Sequence, residues 1–187
     1  MERPVVMTGV GGQGIQLIAK LLAQAGIREG KQVMMFGIFM GTIRGGSSES
    51  TVVIADGEIT APPIVPSAWA VLAMHPEGLP KLAPKAESGG VLVTNSSVVV
   101  ALPVWPGVQH CAVPATEMAK AMGQVMGASI IALGAFAGAT GIVTLEALDA
   151  ALAEVLPSHR RQLVETNRAC IARGAAHVAS AVVPAWA

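Results

Sequence analysis

Charge of either sign is scarce in this chain, and neither sign dominates. Lys and Arg number 12 and Asp and Glu number 12 in 187 residues, so the formal net charge at neutral pH is zero. Nucleic-acid binders carry a basic excess or stripe that displaces counterions from phosphates, and its lack argues against such a partner. Cysteine is scarce too. Cys111 and Cys170 stand far apart, in no CxxC or Cys/His spacing, and read as two reduced structural thiols of a cytoplasmic protein. The chain opens Met1-Glu2-Arg3-Pro4 and runs straight into apolar residues, without the basic and long apolar regions of a secretory leader.

Catalytic templates are equally absent. A GxSxG elbow around Ser47 fails because Glu49 stands where its second glycine belongs. The Gly30-Lys31 pair has Ala25 in place of the upstream P-loop glycine, and Gln32 follows the lysine. His75, His110, His159 and His177 are dispersed, with no metal-ligand pairing. Met34, Met35 and Met40 read as core filler. With no nucleophile, general base or metal set, the expected contribution is binding surface within a larger assembly, with no catalytic residue of its own.

What is present is apolar bulk, 52% of residues, enough for one compact domain over residues 1–187. Little charge on so much apolar chain predicts a face covered by a partner, or self-association into a homodimer when isolated. Ala121 to Leu145 holds no charged residue and is long enough to span a bilayer, with Gly123xxxGly127 and Gly134xxxGly138 inside it. Its five glycines, Gln124 and Ser129, without an aromatic belt or basic flank, predict a buried helix and no membrane.

Pro4 to Thr8 is a short β-branched run ending in glycine, and predicts a buried strand. Ile15, Ile18, Leu21, Leu22 and Ala25 then recur at helical period, and Lys31 to Phe36 returns to strand character. Strand, glycine turn, helix and strand predict a βαβ unit with a parallel pair. The segment 37–50 reads as a long glycine- and serine-rich loop, and 51–60 as a hairpin about Asp56-Gly57. Further strands are expected at 69–74, 91–94 and 109–113, and helices over 114–140, 144–156 and 158–180. The fold class is therefore α/β: a three-layer, Rossmann-like domain with a mostly parallel sheet and a helical C-terminal region.

Two segments could bind. Gly9, Gly11 and Gly14 satisfy GxGxxG between a strand and a helix, where bare backbone and free helix amides suit an anion. A dinucleotide site also needs an acid at the end of the second strand. That strand ends Phe36-Gly37-Ile38, and the nearest acid, Glu29, precedes it, which argues against NAD. The turn either holds an anion or lets helix and sheet pack closely. The second segment, Arg44-Gly45-Gly46-Ser47-Ser48, places a guanidinium among glycines that bare the backbone: a phosphate clamp or a solvated loop.

Together these motifs resemble a known family. Gly9-Val10-Gly11-Gly12-Gln13-Gly14 and then Arg44-Gly45-Gly46-Ser47-Ser48 before a Val-Val-Ile strand are similar to the gamma subunit of 2-oxoacid:ferredoxin oxidoreductases. The family includes pyruvate, 2-oxoisovalerate, 2-oxoglutarate and indolepyruvate enzymes. The likeness continues through Ile59-Thr60-Ala61-Pro62, Leu133-Gly134-Ala135, Gly141-Ile142-Val143-Thr144-Leu145-Glu146-Ala147-Leu148 and Asn167-x-x-x-Ile171-x-x-Gly174.

The resemblance implies a subunit of a complex that oxidatively decarboxylates a 2-oxoacid to its acyl-CoA. Thiamine diphosphate, magnesium and iron–sulfur clusters would belong to alpha, beta and ferredoxin-like delta partners, with ferredoxin as acceptor; two cysteines cannot supply a four-thiolate cluster. It also implies that Gly9, Gly11, Gly12, Gln13, Gly14, Arg44, Gly45, Gly46 and Ser47 are candidate contacts for coenzyme A phosphates. There are departures from the family pattern. Phe39-Met40-Gly41-Thr42-Ile43 replaces an aromatic-Gly-Pro-Glu run, and Ser129 replaces an asparagine ahead of Leu-Gly-Ala. The alternative reading is a stand-alone Rossmann-type module for a nucleotide or acyl-CoA.

Overall fold

Alternation of apolar residues along the strands fixes the layers. The computed structural model describes residues 1–39, 46–62, 64–101, 105–178 and 183–186. Its strands are β1 (Glu2–Val10), β2 (Gln32–Phe39), β3 (Ser47–Ala55), β4 (Ala68–Ala73), β5 (Ala86–Asn95) and β6 (Gln109–Val113). Its α-helices are α1 (Ile15–Arg28), α2 (Leu79–Leu82), α3 (Ala115–Ala121), α4 (Ala128–Thr140), α5 (Leu145–Val155) and α6 (Val164–Ala175). Val5, Met7, Val52, Ile54, Leu72 and Val93 point to one face and share a core with α1, α4 and α5. Their neighbours Val6, Val53, Val71 and Leu92 point to the other, under Leu79, Leu82 and Val99. Each fully buried aliphatic side chain stabilises the fold by roughly 1.5–3 kcal/mol.

The strands form one sheet in the order β2-β3-β1-β4-β5-β6. β1, β4, β5 and β6 pair in parallel. This is the expected α/β class, flanked by helices, but the first unit differs from expectation. β1 and β2 run in the same direction without pairing, because β3 lies between them, antiparallel to both. Ser47 to Ser50, read from sequence as loop, belong to β3: two neighbouring strands satisfy their backbone groups, which overrides a weak local strand preference. The 14-residue loop read from sequence thus contracts, since β2 reaches Phe39 and β3 starts at Ser47.

The expected hairpin at Asp56-Gly57 does not form either. Glu58–Thr60 is not a strand. The Glu2 carboxylate accepts bonds from Thr60 N (2.7 Å), Thr60 Oγ1 (2.6 Å) and Ala61 N (3.1 Å), holding the segment against the start of β1. The expected last helix begins as a 3-10 segment at Ser158–Leu163 before α6.

The uncharged stretch from Ala121 to Leu145 is not one helix: Val125–Gly127 forms a 3-10 turn with Val125 and Met126 exposed, and only α4, after it, is buried on nearly every side. Glycines set how closely α6 crosses it. A Cβ at Gly134 would fall on the Ile171 carbonyl, with Ile171 Cα 2.8 Å away. A Cβ at Gly174 would fall reciprocally on the Ile131 carbonyl, with Ala135 N at 2.8 Å. Backbone therefore meets backbone at this crossing. Among the described residues no helix is long and apolar enough to cross a membrane.

Candidate functional site

The glycine turn connects β1 to α1 where the parallel part of the sheet changes direction of winding. From β1 the chain moves outward through α1; from β4 it moves the opposite way through α2 to β5. In open α/β sheets the crevice beyond the strand ends at such a point is where ligands bind. Here the Gln13 side chain spans it. Gln13 Oε1 accepts from Val10 N at 2.9 Å, and Gln13 Nε2 donates to Met74 O at 3.3 Å. Gly9 makes room for this arrangement, since a Cβ there would meet Gln13 Oε1 at 2.5 Å and Ile15 Cδ1 at 2.8 Å. Gly9 and Gln13 are thus seating elements of the turn.

Gly12 and Gly14 have φ of 95° and 78°, in the left-handed region that favours glycine. No described atom lies within 4 Å of the Cβ position at Gly12, so its backbone is approachable. Gly14 is the N-cap of α1 and supplies no side-chain cap, and the first turn holds no acid. The leading amides of α1 and the positive end of its dipole are therefore free to face an anion. Across from Gly14 stands Ser129, with Oγ 2.9 Å from where a Gly14 Cβ would be.

The two sequence motifs meet. Gly11 N donates to Gly46 O at 2.8 Å, and the β1–β3 register sets Val10 opposite Ser47 and Gly9 opposite Ser48. Gln16 Nε2 reaches from α1 to Glu49 O at 3.1 Å and Ser48 Oγ at 3.5 Å, tying helix to strand. The structure thus brings Gly9, Gly11, Gly12, Gln13, Gly14, Gly46 and Ser47 to one end of the β1–β3 pair. Arg44 and Gly45 lie outside the described residues.

A cavity of about 470 Å³ opens beside the turn, and motif reasoning missed it. Gly12, Gly14, Gln16 and Ser48 form one wall; Gln124, Ser129 and Ile130 form a second, and Leu156, Arg160, Leu163, Thr166 and Asn167 close it. Asn167 stood within a family-like run and Ser129 at a departure from the family pattern, the signals that could have marked them. Arg160 carried none.

Other residues singled out in the sequence have structural places. Glu29, the acid set aside as a ribose ligand, accepts bonds from Thr144 N (2.6 Å) and Thr144 Oγ1 (2.7 Å), joining the end of α1 to the start of α5. His110 Nε2 lies 2.8 Å from Thr94 Oγ1, and His75 Nδ1 accepts from Glu77 N at 3.3 Å. Cys111 and Cys170 are free and buried, and burial pushes both thiols above their ordinary value. Among the described residues, no three His, Cys, Asp or Glu side chains cluster as a metal site would need.

Comparison with known proteins agrees with this architecture. The sequence matches the family described as pyruvate ferredoxin/flavodoxin oxidoreductase over residues 4–177. It is 28% identical to the 2-oxoglutarate synthase subunit KorC of Methanothermobacter marburgensis, over 84% of this chain and 88% of that protein. The ketoisovalerate oxidoreductase subunit VorA of Methanothermobacter thermautotrophicus is 31% identical across 75% of this chain, though that match covers 29% of VorA. The solved gamma subunit of a keto/oxoacid ferredoxin oxidoreductase from Geobacter sulfurreducens superposes with a TM-score of 0.78 at 31% identity, over 93% of this chain and 96% of that one. A 2-oxoglutarate:ferredoxin oxidoreductase from Magnetococcus marinus shares the fold, with a TM-score of 0.83 at 20% identity, over 96% of this chain and 32% of that one. A domain that joins its two glycine segments at one strand end, and matches a gamma subunit nearly end to end, belongs to the pyruvate ferredoxin/flavodoxin oxidoreductase family as a gamma-type subunit of 2-oxoacid:ferredoxin oxidoreductases.

Proposed function

We propose that this subunit serves a complex that oxidatively decarboxylates a 2-oxoacid to its acyl-CoA, and that its glycine turn and the Arg44 loop contact coenzyme A phosphates. The observation that supports the reading is the Gly11–Gly46 hydrogen bond of 2.8 Å, which ties the residue two positions after Arg44 to the turn. An anion at the turn would meet free helix amides, and a guanidinium two residues before Gly46 in sequence would supply the charge to clamp it. The Magnetococcus protein that shares this fold was solved with 2-oxoglutarate, coenzyme A and succinyl-CoA bound.

The chain's part is binding and orientation. Thiamine diphosphate supplies the decarboxylation chemistry and iron–sulfur clusters the electron path, and we assign both, with magnesium, to the alpha, beta and ferredoxin-like delta subunits; ferredoxin is the acceptor. Cys111 on β6 and Cys170 on α6 are separate buried thiols and do not make a cluster ligand set. Reconstitution of the complex with Arg44→Ala tests the proposal. Losing a charge-assisted hydrogen bond of about 1.5–3 kcal/mol predicts roughly a 10- to 100-fold rise in the KM for coenzyme A, with the Tm of the subunit unchanged. An unchanged KM removes Arg44 from the site.

A further inference from the structure

An edge strand usually carries a device that keeps other strands away: a charge, a proline, a bulge or a cover. β2, which ends the sheet on one side, has none of the first three. Gln32 to Phe39 holds no charged residue and no proline, and its 8 residues pair with β3 in unbroken register. Among the described residues, no backbone bond joins β2 to any element other than β3. Alternate residues therefore turn their N–H and C=O groups outward. The opposite edge is different. β6 is 5 residues long, Pro114 follows it, and a ring nitrogen of His177 lies 3.2 Å from the Ala112 carbonyl oxygen.

The side chains along this edge are apolar on both faces. Val33 stands opposite Ile54 on the α1 side of the sheet, and Met34 opposite Val53 on the other. Val33, Met34 and Met35 are only partly buried, and Phe36 is 39% exposed. Gln16, Ala23 and Ile27 follow at helical spacing along one flank of α1, and Gln16 lies over Gly37. Ile27, on that flank, is 54% exposed. Both layers of the core thus reach the edge. Lys31, the charge that precedes the strand, lies over the Trp186 ring at 3.8 Å from its centroid.

We propose that β2 is the joint of a homodimer, pairing antiparallel with β2 of a second copy so that the two sheets run on as one. What a free strand edge fits is another strand, and this strand is complementary to itself. A twofold axis perpendicular to the sheet makes the two copies of β2 antiparallel and leaves each face on its own side, so the α1 layers adjoin. Facing residues then share a face, which sets the axis at a residue, Met35 or Phe36 at mid-strand. An uncharged strand meets no like charge when it faces its own copy. None of these residues belongs to the glycine turn or the Arg44 loop.

Sedimentation of the full chain over a concentration series reads the association, and we expect a dimer with a Kd on the order of micromolar. Hydrogen exchange adds a readout specific to strand pairing. Amides of β2 that exchange fast in dilute solution should slow as concentration rises, while those of β6 should not. Phe36→Lys, at an exposed position, should raise the dimer Kd roughly tenfold or more, because it seats a charge from each copy in the joint. Val100→Lys, at a residue 89% exposed and outside β2, should leave the Kd unchanged. The proposal is overturned if the chain stays monomeric at about 100 µM, if a dimer forms without slowing β2 exchange, or if folded Phe36→Lys associates like the parent. Should Phe36→Lys fail to fold, the exchange comparison on the parent chain decides. Protection of β2 only when another subunit is added would also overturn it, and would give the edge to a partner's strand.

Discussion

Gly134→Ala should destabilise the domain although alanine is the better helix former. Gly134 sits mid-helix in α4, where replacement by alanine ordinarily gains about 1 kcal/mol. Its new Cβ, however, would land on the Ile171 carbonyl, with Ile171 Cα at 2.8 Å and C at 2.9 Å. These are backbone atoms of α6 and cannot rotate aside, so the helices must separate along their whole crossing. Overpacking costs typically 1–3 kcal/mol, and backbone obstruction belongs at the upper end. Subtracting the propensity gain leaves about 2 kcal/mol, or roughly 4–8 °C of Tm for a chain of this size. Gly138→Ala is the matched control, one turn along the same helix. There the Cβ would meet Ala175 Cα at 3.2 Å and Cβ at 3.3 Å, a shift of a few tenths of an ångström, and the two terms nearly cancel. Thermal and denaturant unfolding of both variants, read by far-UV circular dichroism, compares them directly. If Gly134→Ala is as stable as the parent, or the two variants move together, close backbone approach is not what requires glycine at 134.

Further consequences can be measured on the same chain. Gly14→Ala places a non-glycine residue at φ 78° and sets its Cβ 2.9 Å from Ser129 Oγ; we expect a loss of about 2 kcal/mol, of which Gly14→Ala/Ser129→Ala recovers only the steric share. Glu29→Ala removes the acceptor of Thr144 N and Oγ1 and should cost about 1 kcal/mol by urea unfolding, with the gap between α1 and α5 exchanging amide protons faster. Burial holds the folded-state Cys111 and Cys170 thiols above their ordinary value of 9.0, so the unfolded chain sheds these protons first and stability falls as pH rises above it. On the acid side, the bonds from Thr60 and Ala61 hold the Glu2 carboxylate below its ordinary 4.5, so its contribution is present above that value and lost as pH falls through the lowered one. A Glu2→Gln variant whose acid unfolding midpoint matches the parent's would refute the second half.

Much of the architecture was legible because both faces of the sheet are buried. Short apolar runs mark β1, β4 and the second half of β5, and period-3.6 residues mark α1 and α5. What local pattern does not carry is strand partnership. Ser47-Ser48-Glu49-Ser50 has neither β-branched residues nor alternation, and only its position between β1 and β2 makes it a strand. Likewise the stretch holding Gly134 and Gly138 was readable as a buried helix, but not the close approach of α6 that these glycines admit. The candidate site divides the same way. The turn and Gly46-Ser47 were readable as motifs, whereas the wall formed by Ser129, Arg160 and Asn167 exists only once α4 and α6 cross.

The inserted strand also changes what the glycine turn can recognise. In a dinucleotide fold the second strand lies directly beside the first, so an acid at its end reaches the ribose hydroxyls. Here β3 occupies that place, and β2 is displaced by a further strand spacing of about 4.8 Å. The turn's neighbours on that side are Gly46, Ser47 and Ser48, none of them charged, and its far side is spanned by Gln13. The nearby acid Glu49 is engaged with Lys81 Nζ at 2.6 Å. Among the described residues, therefore, no free carboxylate stands at this turn to take ribose hydroxyls, and the proposed anion contact would fall to the α1 amides. The same six-residue signature thus stands among different side chains in this sheet order, because strand order decides what surrounds it.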